Sequence, residues 1–342
     1  MADAPALNLD PVRVREAVVS DAAALDALLR GATEPVVLRG IAGGWPLVTA
    51  GRQGRQAAQA YLLAHARDRD FIYSEGLEQG SSSLFYGEDM AVNFRTARAR
   101  PDALFTAINT AIAAGQGRAV YAGSLAISEH FPGLAGNNAV ALGSRDPLAS
   151  IWIGTATTVA AHNDFPDNLA VCAVGRRRFT LFPPDQFANL YLGPLDNTPA
   201  GRAVSMVDHD NPDFARHPRY RAALETAQVA ELAAGDGLFV PSGWFHRVEA
   251  LEPFNVLVNY WWCDSPRWMG EPQEALLHAI LSIRDLPAHQ RDMWRDQFEH
   301  YVFSGGEAAA AHLPEPARGV LGRLRAETAG RLRAFLLRSL SR

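Results

Sequence analysis

The chain has 342 residues, of which 48% are hydrophobic and 20% charged, with a formal net charge of −5 and a pI near 6.1. This composition is typical of a folded globular protein and excludes a collagen-like, fibrous or fully disordered chain. The acidic balance creates no general attraction for nucleic acid or for an anionic membrane, so we expect neither as a partner.

The first residues, MADAPALNLD, lack the basic start and apolar run of a secretory signal, and no stretch approaches the length of a membrane span. We therefore expect a cytoplasmic protein. The two cysteines, Cys172 and Cys263, are too few for a disulfide framework and lack zinc-site spacing, so we expect reduced thiols.

The front part of the chain predicts a mixture of helices and strands. Ser20 and Asp21 are typical capping residues for a helix that Gly31 can close. Apolar spacing and turn residues give the remaining elements. The predicted helices are 21–31, 53–66 and 101–115, and the predicted strands are 35–40, 71–74, 83–87 and 118–125, with a turn through IAGGWPLV.

From about residue 148 to residue 262 the pattern changes to short apolar runs broken by Gly, Pro, Asn and Asp, such as SIWIG, NLAVCAV and GLFVPSG. Brief strands at this spacing favour a barrel or sandwich over a parallel sheet with crossover helices. The segment 186–230 is rich in loop residues. His209 and His217 lie there among aspartates, and their mixed spacing favours a solvated loop over a metal site.

After residue 271 the pattern is helical, and the last segment has an apolar stripe at helical spacing. The stripe consists of Val320, Leu321, Leu324, Leu332, Phe335, Leu336 and Leu340. Packing against the chain's own barrel and contact with a second copy both remain open. We expect two parts, a strand-rich domain at 1–265 with front α/β elements and a helical segment at 266–342.

The residues that point to chemistry are His162-Asn163-Asp164 and, far downstream, His246 in PSGWFHRVEAL. In an extended strand residues i and i+2 share a face, so His162 and Asp164 can both point into a barrel. Two imidazoles and one carboxylate leave half of an octahedron open, which suits a non-haem Fe(II) oxygenase. A His-x-Asp triplet alone is a weak signal in a chain with ten histidines.

Longer motifs carry a resemblance to a known family. The runs AHNDFPDNLAVCAVGRRRFTLFPPDQFANLY, DNPDF, GDGLFVPSGWFHRVEAL and VNYWW occur in this order, after an upstream EPVVLRGIAGGWPLV. Together they resemble the cupin-like JmjC hydroxylases, especially the asparaginyl hydroxylase that modifies hypoxia-inducible factor. The resemblance covers about residues 34–265.

This resemblance implies a mainly β protein with flanking helices, built on a double-stranded β-helix or jelly-roll core, with a C-terminal helical segment that forms a homodimer. It implies Fe(II) held by His162, Asp164 and His246, and 2-oxoglutarate as cosubstrate. The residues that match the family's cosubstrate pocket are Arg177, Asn168, Asn259 and, in a looser alignment, Tyr121. The implied activity is hydroxylation of an unactivated C–H bond, on a protein or peptide side chain or on a small molecule.

Two residues depart from the family pattern. Arg177 stands where the family has a carboxylate-binding Lys, and Val159 stands where a Thr is usual. All 32 basic residues of the chain are Arg, and a guanidinium can grip a carboxylate with two hydrogen bonds, so Arg177 can fill the role. Three alternatives stay open: a solvated Arg177, a non-catalytic binding module, and a metal-dependent cupin without 2-oxoglutarate.

Four tryptophans lie near the presumed barrel, and each is read either as core or as a wall of the substrate site. They are Trp244, Trp261, Trp262 and Trp268.

Overall fold

A computed structural model describes residues 12–77, 82–115, 117–266, 268–304 and 306–341. The chain divides after Trp262 into two compact units, a strand-rich one and a helical one. The boundary predicted from the sequence follows residue 265. The N-terminal decapeptide used to predict the location lies outside the described residues. In the described part of the chain, no helix combines the length and hydropathy needed to cross a bilayer.

The front of the first unit alternates helices and strands. Helix α1 begins where the Asp21 carboxylate accepts a hydrogen bond from the Ala24 N–H at 2.8 Å. Helix α4 begins at Pro101 and stops at Gly115, whose φ of 65° is left-handed. The elements are β1 (Val12–Arg13), β2 (Glu16–Ala17), α1 (Ala22–Gly31), β3 (Val36–Leu38), α2 (Pro46–Gln53), α3 (Arg55–His65), β4 (Phe71–Gly76), β5 (Phe94–Ala99), α4 (Pro101–Ala114), β6 (Val120–Ala126) and α5 (Ile127–His130).

The rest of the first unit contains eight further strands and one short α-helix within the described residues. They are β7 (Leu148–Gly154), β8 (Thr158–Asn163), β9 (Asp167–Val174), β10 (Arg176–Phe182), α6 (Tyr220–Glu225), β11 (Gln228–Ala233), β12 (Gly237–Val240), β13 (Phe245–Ala250) and β14 (Asn255–Trp262). The smaller sheet has the order β1-β11-β10-β13-β8, and the larger one β2-β3-β12-β9-β14-β7-β6-β4-β5. Strands β7–β14 thus form two facing four-stranded antiparallel layers, which confirms the predicted jelly-roll core.

Side-chain alternation divides the core into layers. Ala170, Cys172 and Leu257 of the larger sheet meet Phe179 and Leu181 of the smaller sheet inside the barrel. The opposite face of β9 and β14 packs against the front helices, so both faces of these strands are buried. A third cluster lies on the outer face of the smaller sheet, beneath the segment 186–227.

Two sequence predictions of elements are wrong, and one strand was not predicted. Residues 83–87 form only isolated bridges, Ser83 to Thr158 and Tyr86 to Val92, because a turn from Gly87 to Ala91 follows at once. Helix α2 occupies part of the predicted turn IAGGWPLV, and Pro46 at its first position was the missed start signal. Strand β5 was not predicted because FRTARA lacks apolar alternation.

The second unit contains α7 (Pro272–Ser282), α8 (Ala288–Phe298), which continues into a π-helical turn at Glu299–Phe303, and α9 (Ala326–Leu340). The predicted long final helix is shorter, because the backbone at Gly322 is extended and the helix begins only at Ala326. Val320, Leu321 and Leu324 therefore lie outside α9, and the predicted stripe is restricted to its other four members.

The turn between β9 and β10 requires glycine. Gly175 has a φ of 84°, and a Cβ there would meet the Phe254 carbonyl oxygen at 3.0 Å and the Asn255 side-chain amide oxygen. This turn sets the register of β10, which carries Arg177 two residues later.

Replacing Gly175 by Ala is expected to lower the free energy of unfolding by about 2–3 kcal/mol. The alanine would have to adopt a left-handed backbone conformation, and its Cβ would also clash with the Phe254 carbonyl oxygen. Chemical denaturation measures the change. Gly31→Ala is the matched control, since a Cβ at Gly31 meets nothing within 4 Å, and it should leave stability equal or slightly higher. Equal stability of the two variants would contradict the strained turn.

Candidate metal and cosubstrate site

Two neighbouring strands of the smaller sheet bring the predicted triad together. His162 lies near the end of β8, directly opposite His246 on β13, and Asp164 follows β8. One donor atom from each of the three side chains lies within 4.8 Å of the others. The His246 Nε2 atom is 3.7 Å from an Asp164 carboxylate oxygen. Among the described residues, this is the group of His, Cys, Asp and Glu side chains placed to share a metal ion.

A tight turn holds the two triad segments against each other. In the turn between β12 and β13, the Gly243 N–H donates to the Asp164 carbonyl at 3.1 Å. The neighbouring Ser242 N–H donates to the Asp167 carboxylate at 2.8 Å, and its hydroxyl donates to the Phe165 carbonyl at 2.5 Å. The segment PSGWFH therefore holds the start of β13, which carries His246, against the residues that follow His162.

Backbone carbonyls set the tautomer of both histidines. His162 Nδ1 lies 2.9 Å from the Ala160 carbonyl oxygen, and His246 Nδ1 lies 3.2 Å from that of Trp244. A carbonyl only accepts, so each Nδ1 donates and each Nε2 keeps its lone pair for a metal. Burial, reinforced by the neighbouring His162, lowers the pKa of His246 against the opposing effect of Asp164. Its imidazole is therefore neutral at physiological pH.

All seven site residues predicted from the sequence line one cavity of about 490 Å³ between the two sheets. They are His162, Asp164, His246, Arg177, Asn168, Asn259 and Tyr121. The apolar cluster inside the barrel fills the space between the sheets beyond Phe179 and Leu257, which also line the cavity. The cavity is thus a pocket that ends at packed apolar side chains and does not run through the barrel.

Arg177 is buried in this pocket without a carboxylate partner. Its side chain is only 2% exposed, and its Nε and Nη2 atoms make no hydrogen bond in the described part of the chain. A buried guanidinium without an anion is costly, so the pocket favours a negatively charged ligand. The reading of Arg177 as a solvated member of the Arg run is wrong: β10 directs Arg176 and Arg178 outward to Glu252 and Glu231, and Arg177 inward.

Polar side chains surround the guanidinium. Burial raises the pKa of the Tyr121 phenol to about 12, although the charge and hydrogen bonding of Arg177 oppose this shift, so the phenol stays protonated. The Asn259 side chain donates to the Asn168 side-chain oxygen at 2.7 Å, while the Asn259 Oδ1 atom is buried without a partner in the described structure. Hydrogen-bonding capacity in this pocket is therefore left for a ligand.

Sequence reasoning missed one wall of the pocket. Trp152 on β7 faces Trp261 with ring centroids 5.8 Å apart, and neither indole N–H has a partner in the described structure. Gly123 makes room for Trp152, because a Cβ there would lie 2.7 Å from the indole ring. Ser124 follows in a strained conformation with a φ of 53°. The alternating run SIWIG was the available signal for Trp152.

The remaining predicted residues divide between pocket and core. Val159 lines the pocket, whereas Trp244 and Trp262 belong to the buried clusters. The His209 Nδ1 atom contacts the Tyr220 hydroxyl at 2.7 Å, on the outer side of the smaller sheet. Neither cysteine forms a disulfide with a described residue; Cys172 is buried and Cys263 is exposed. Trp268 lies in the second unit.

A model of the cupin-like domain family matches residues 22–267. The match spans most of the chain and includes every residue of the pocket, so the protein belongs to this family of jelly-roll proteins. The resemblance to the cupin-like JmjC hydroxylases is thereby confirmed, and the family includes Fe(II)- and 2-oxoglutarate-dependent oxygenases.

Curated relatives differ widely in their named functions. The chain is 35% identical over 118 residues to the lysine-specific demethylase JMJ31 of Arabidopsis thaliana, which covers 34% of this chain and 21% of that protein. It is 36% identical over 148 residues to the tRNA wybutosine-synthesizing protein 5 of Gallus gallus, covering 39% and 43%. It is 33% identical over 166 residues to the HSPB1-associated protein 1 homolog of Danio rerio, covering 46% and 36%. The matched region therefore spans less than half of each relative.

Removing a triad side chain is expected to abolish metal binding at this site. His162→Ala, Asp164→Ala and His246→Ala should each weaken Fe(II) or Co(II) binding by more than about 100-fold, measured anaerobically by calorimetric titration. His217→Ala is the control, because it removes an imidazole outside the pocket and should leave the affinity unchanged. Wild-type affinity in any triad variant would contradict the assignment.

Proposed function

We propose that this protein is an Fe(II)- and 2-oxoglutarate-dependent oxygenase that hydroxylates an unactivated C–H bond, on a protein or peptide side chain. The observation that carries the proposal is one pocket that joins a His-Asp-His triad to a buried, unpaired guanidinium. The first feature suits Fe(II), and the second suits the far carboxylate of a dicarboxylic 2-oxo acid.

The donors of the triad fit the metal. Two imidazoles direct their Nε2 atoms and Asp164 directs a carboxylate towards the pocket. Bound there with 2-oxoglutarate and dioxygen, Fe(II) supplies the oxidising chemistry that inserts one oxygen atom into a C–H bond and leaves succinate and CO₂. The Nδ1–H bonds of His162 and His246 hold their ring planes, so the protein presets the donor directions.

Arg177 anchors the cosubstrate. Its guanidinium can meet the C5 carboxylate with two hydrogen bonds, and the protonated Tyr121 hydroxyl can donate a further one. Val159, which stands where the family has a Thr, offers a methyl surface instead of a hydroxyl, so more of the carboxylate's binding energy comes from Arg177 and Tyr121.

Apolar side chains keep water from the reacting centre. Trp152, Trp261, Val248 and Leu257 wall the pocket. The Asn259–Asn168 hydrogen bond links the neighbouring strands β14 and β9, and this fixes the orientation of both side chains in one wall of the pocket. The substrate C–H bond is thereby held in a dry, rigid space beside the triad.

Arg177→Gln is expected to raise the KM for 2-oxoglutarate by about 100-fold, because it removes the charge that opposes the C5 carboxylate. Arg177→Lys should retain part of the affinity for 2-oxoglutarate, since lysine keeps the positive charge but lacks the planar guanidinium that makes two hydrogen bonds. Succinate release coupled to 2-oxoglutarate loss is the readout. Arg176→Gln is the control, because Arg176 belongs to the same run but pairs with Glu252 at the surface.

The same assay separates the rival functions. A non-catalytic binding module binds metal without forming succinate, and a cupin that needs no 2-oxoglutarate binds metal without affinity for that acid. A small-molecule hydroxylase forms succinate but modifies no peptide. An unchanged KM in Arg177→Gln would contradict the assigned anchor.

We further propose that the second unit forms a homodimer. Each of α7 and α9 exposes large apolar side chains, among them Leu281 at 77% and Leu337 at 60%, and Phe303 after α8 is 73% exposed. Apolar exposure on this scale is unusual for a monomer. A second copy of the chain presents the same apolar side chains. A contact with twofold symmetry would therefore bury these side chains on both subunits.

The double substitution Leu336→Glu and Leu340→Glu on α9 is expected to convert the dimer to a monomer, because it places charges in an apolar contact. Sedimentation equilibrium measures the mass. Arg338→Gln is the control on the opposite side of the helix and should stay dimeric. A monomeric wild-type protein would contradict the homodimer.

A further inference from the structure

Strand β5 is an edge of the larger sheet, and it differs from the comparable edge of the smaller sheet. The outer edge of β8 is covered by the chain itself. The Thr158 N–H donates to Ser82 at 3.0 Å, and the Ala161 carbonyl accepts from the Ser205 N–H at 2.7 Å. For β5, the described part of the chain supplies backbone partners only from β4.

The hydrogen-bonding register shows which backbone groups of β5 face outward. The Leu77 N–H donates to the Asn93 carbonyl at 2.9 Å, while the Asn93 N–H donates to the Phe85 carbonyl, so the bonded side of the ladder is marked here by one bond. Hydrogen-bonded pairs alternate with non-bonded pairs in an antiparallel ladder. Counting along β5, the N–H and C=O groups of Phe94, Thr96 and Arg98 point away from β4. The Gly76 N–H donates to Ala119 on the opposite side of β4, which agrees with this alternation.

The free edge lies beside the pocket. Thr96 pairs with Ser74 and Arg98 pairs with Ile72, and directly opposite residues share a face. Ser74 and Ile72 both line the pocket. Phe94, Thr96 and Arg98, whose outward backbone groups have no partner in the described structure, therefore share a face with Ile72 and Ser74. Tyr73 between them also lines the pocket but packs against the front core.

The edge is positively charged. Arg95 pairs with Glu75 at 2.7 Å, and β5 itself contains no acidic residue. Arg98 is exposed and forms no ion pair with the described residues. A chain that approaches the pocket along β5 thus meets unpaired backbone groups and positive charge.

We propose that β5 docks the substrate as an extended acidic peptide, which adds to the sheet as one more strand. This inference rests on the proposed function, because it names the substrate class of the same pocket. Outward N–H and C=O groups at every second residue match the main chain of an extended peptide, while Arg98 selects acidic side chains. Nucleic acid could use the charge but lacks this alternation of donors and acceptors.

Strand spacing limits where the modified residue lies. Neighbouring strands are about 4.8 Å apart, so the added strand runs about 10 Å from β4, whose residues line the pocket. An extended chain covers about 3.3 Å per residue, so about three residues are needed to cross that distance. The hydroxylated residue therefore lies outside the docked segment, at least about three residues from it.

The test uses defined peptides and the metal-loaded full chain. The probes are labelled peptides of about ten residues with alternating Glu and Val, the same peptide N-methylated at alternate amides, a Lys-Val counterpart and a single-stranded RNA. Fluorescence anisotropy gives each affinity. The acidic peptide should bind at least about tenfold more tightly than the N-methylated and basic peptides.

Thr96→Pro is the matching protein variant, since it removes one outward N–H at an edge position that tolerates proline. It should weaken the acidic peptide by about tenfold, and Arg98→Gln by a smaller factor, whereas Thr96→Val keeps the N–H and should bind like wild type. Peptide-independent succinate formation should be unchanged in all three variants. The N-methylated peptide tests the same contact on the unaltered protein.

Equal affinity for the methylated and unmethylated peptides, or no affinity for the acidic peptide, overturns the docking strand. The proposal is also overturned if RNA binds more tightly than the acidic peptide and the Thr96→Pro substitution leaves RNA binding unchanged. Loss of self-association in Thr96→Pro would overturn it as well, because β5 would then be a contact with a second copy of the chain. A wild-type protein that forms no succinate overturns the proposed oxygenase instead, and peptide affinity is then still measured separately.

Discussion

The antiparallel register of β13 against β8 is the constraint on which the site depends. It places His246 directly opposite His162, and the turn at Gly243 holds Asp164 beside them. A shift of one residue would turn the side chain of His246 out of the barrel, because side chains alternate between the faces of a strand. The triad is therefore a property of sheet pairing, and the backbone bonds of the two imidazoles refine it.

Electrostatics connects this triad to the far end of the same pocket. Arg177 lies on β10, the strand next to β13, and alternation directs it inward while Arg176 and Arg178 point outward to Glu252 and Glu231. Its buried charge lacks a partner in the described structure, so the folded protein retains a cost that an anionic ligand removes. A metal site at one end and an unpaired cation at the other favour a ligand with an oxygen donor group near one end and a carboxylate at the other.

Short apolar runs in the sequence predicted a barrel or sandwich, and the resemblance of widely spaced motifs to the JmjC hydroxylases implied the jelly-roll core and the seven residues that line the pocket. Strand β5 was not predicted, because its side chains do not alternate between apolar and polar. The break at Gly322 before α9 was not predicted either, because the helical spacing of apolar residues continues across this extended residue. Trp152 was missed because its place in the pocket depends on Gly123 in the neighbouring strand. The position of such a side chain depends on contacts between strands that are distant in the sequence. Local sequence patterns contain no information on these contacts.

The central claim is that one pocket holds the metal and the cosubstrate together. Anomalous diffraction from crystals grown anaerobically with Mn(II) and 2-oxoglutarate tests it most directly. The account predicts one anomalous peak bounded by the Nε2 atoms of His162 and His246 and the Asp164 carboxylate, with the C5 carboxylate of 2-oxoglutarate on Arg177. A metal bound elsewhere, or a 2-oxo acid whose far carboxylate avoids Arg177, would contradict it.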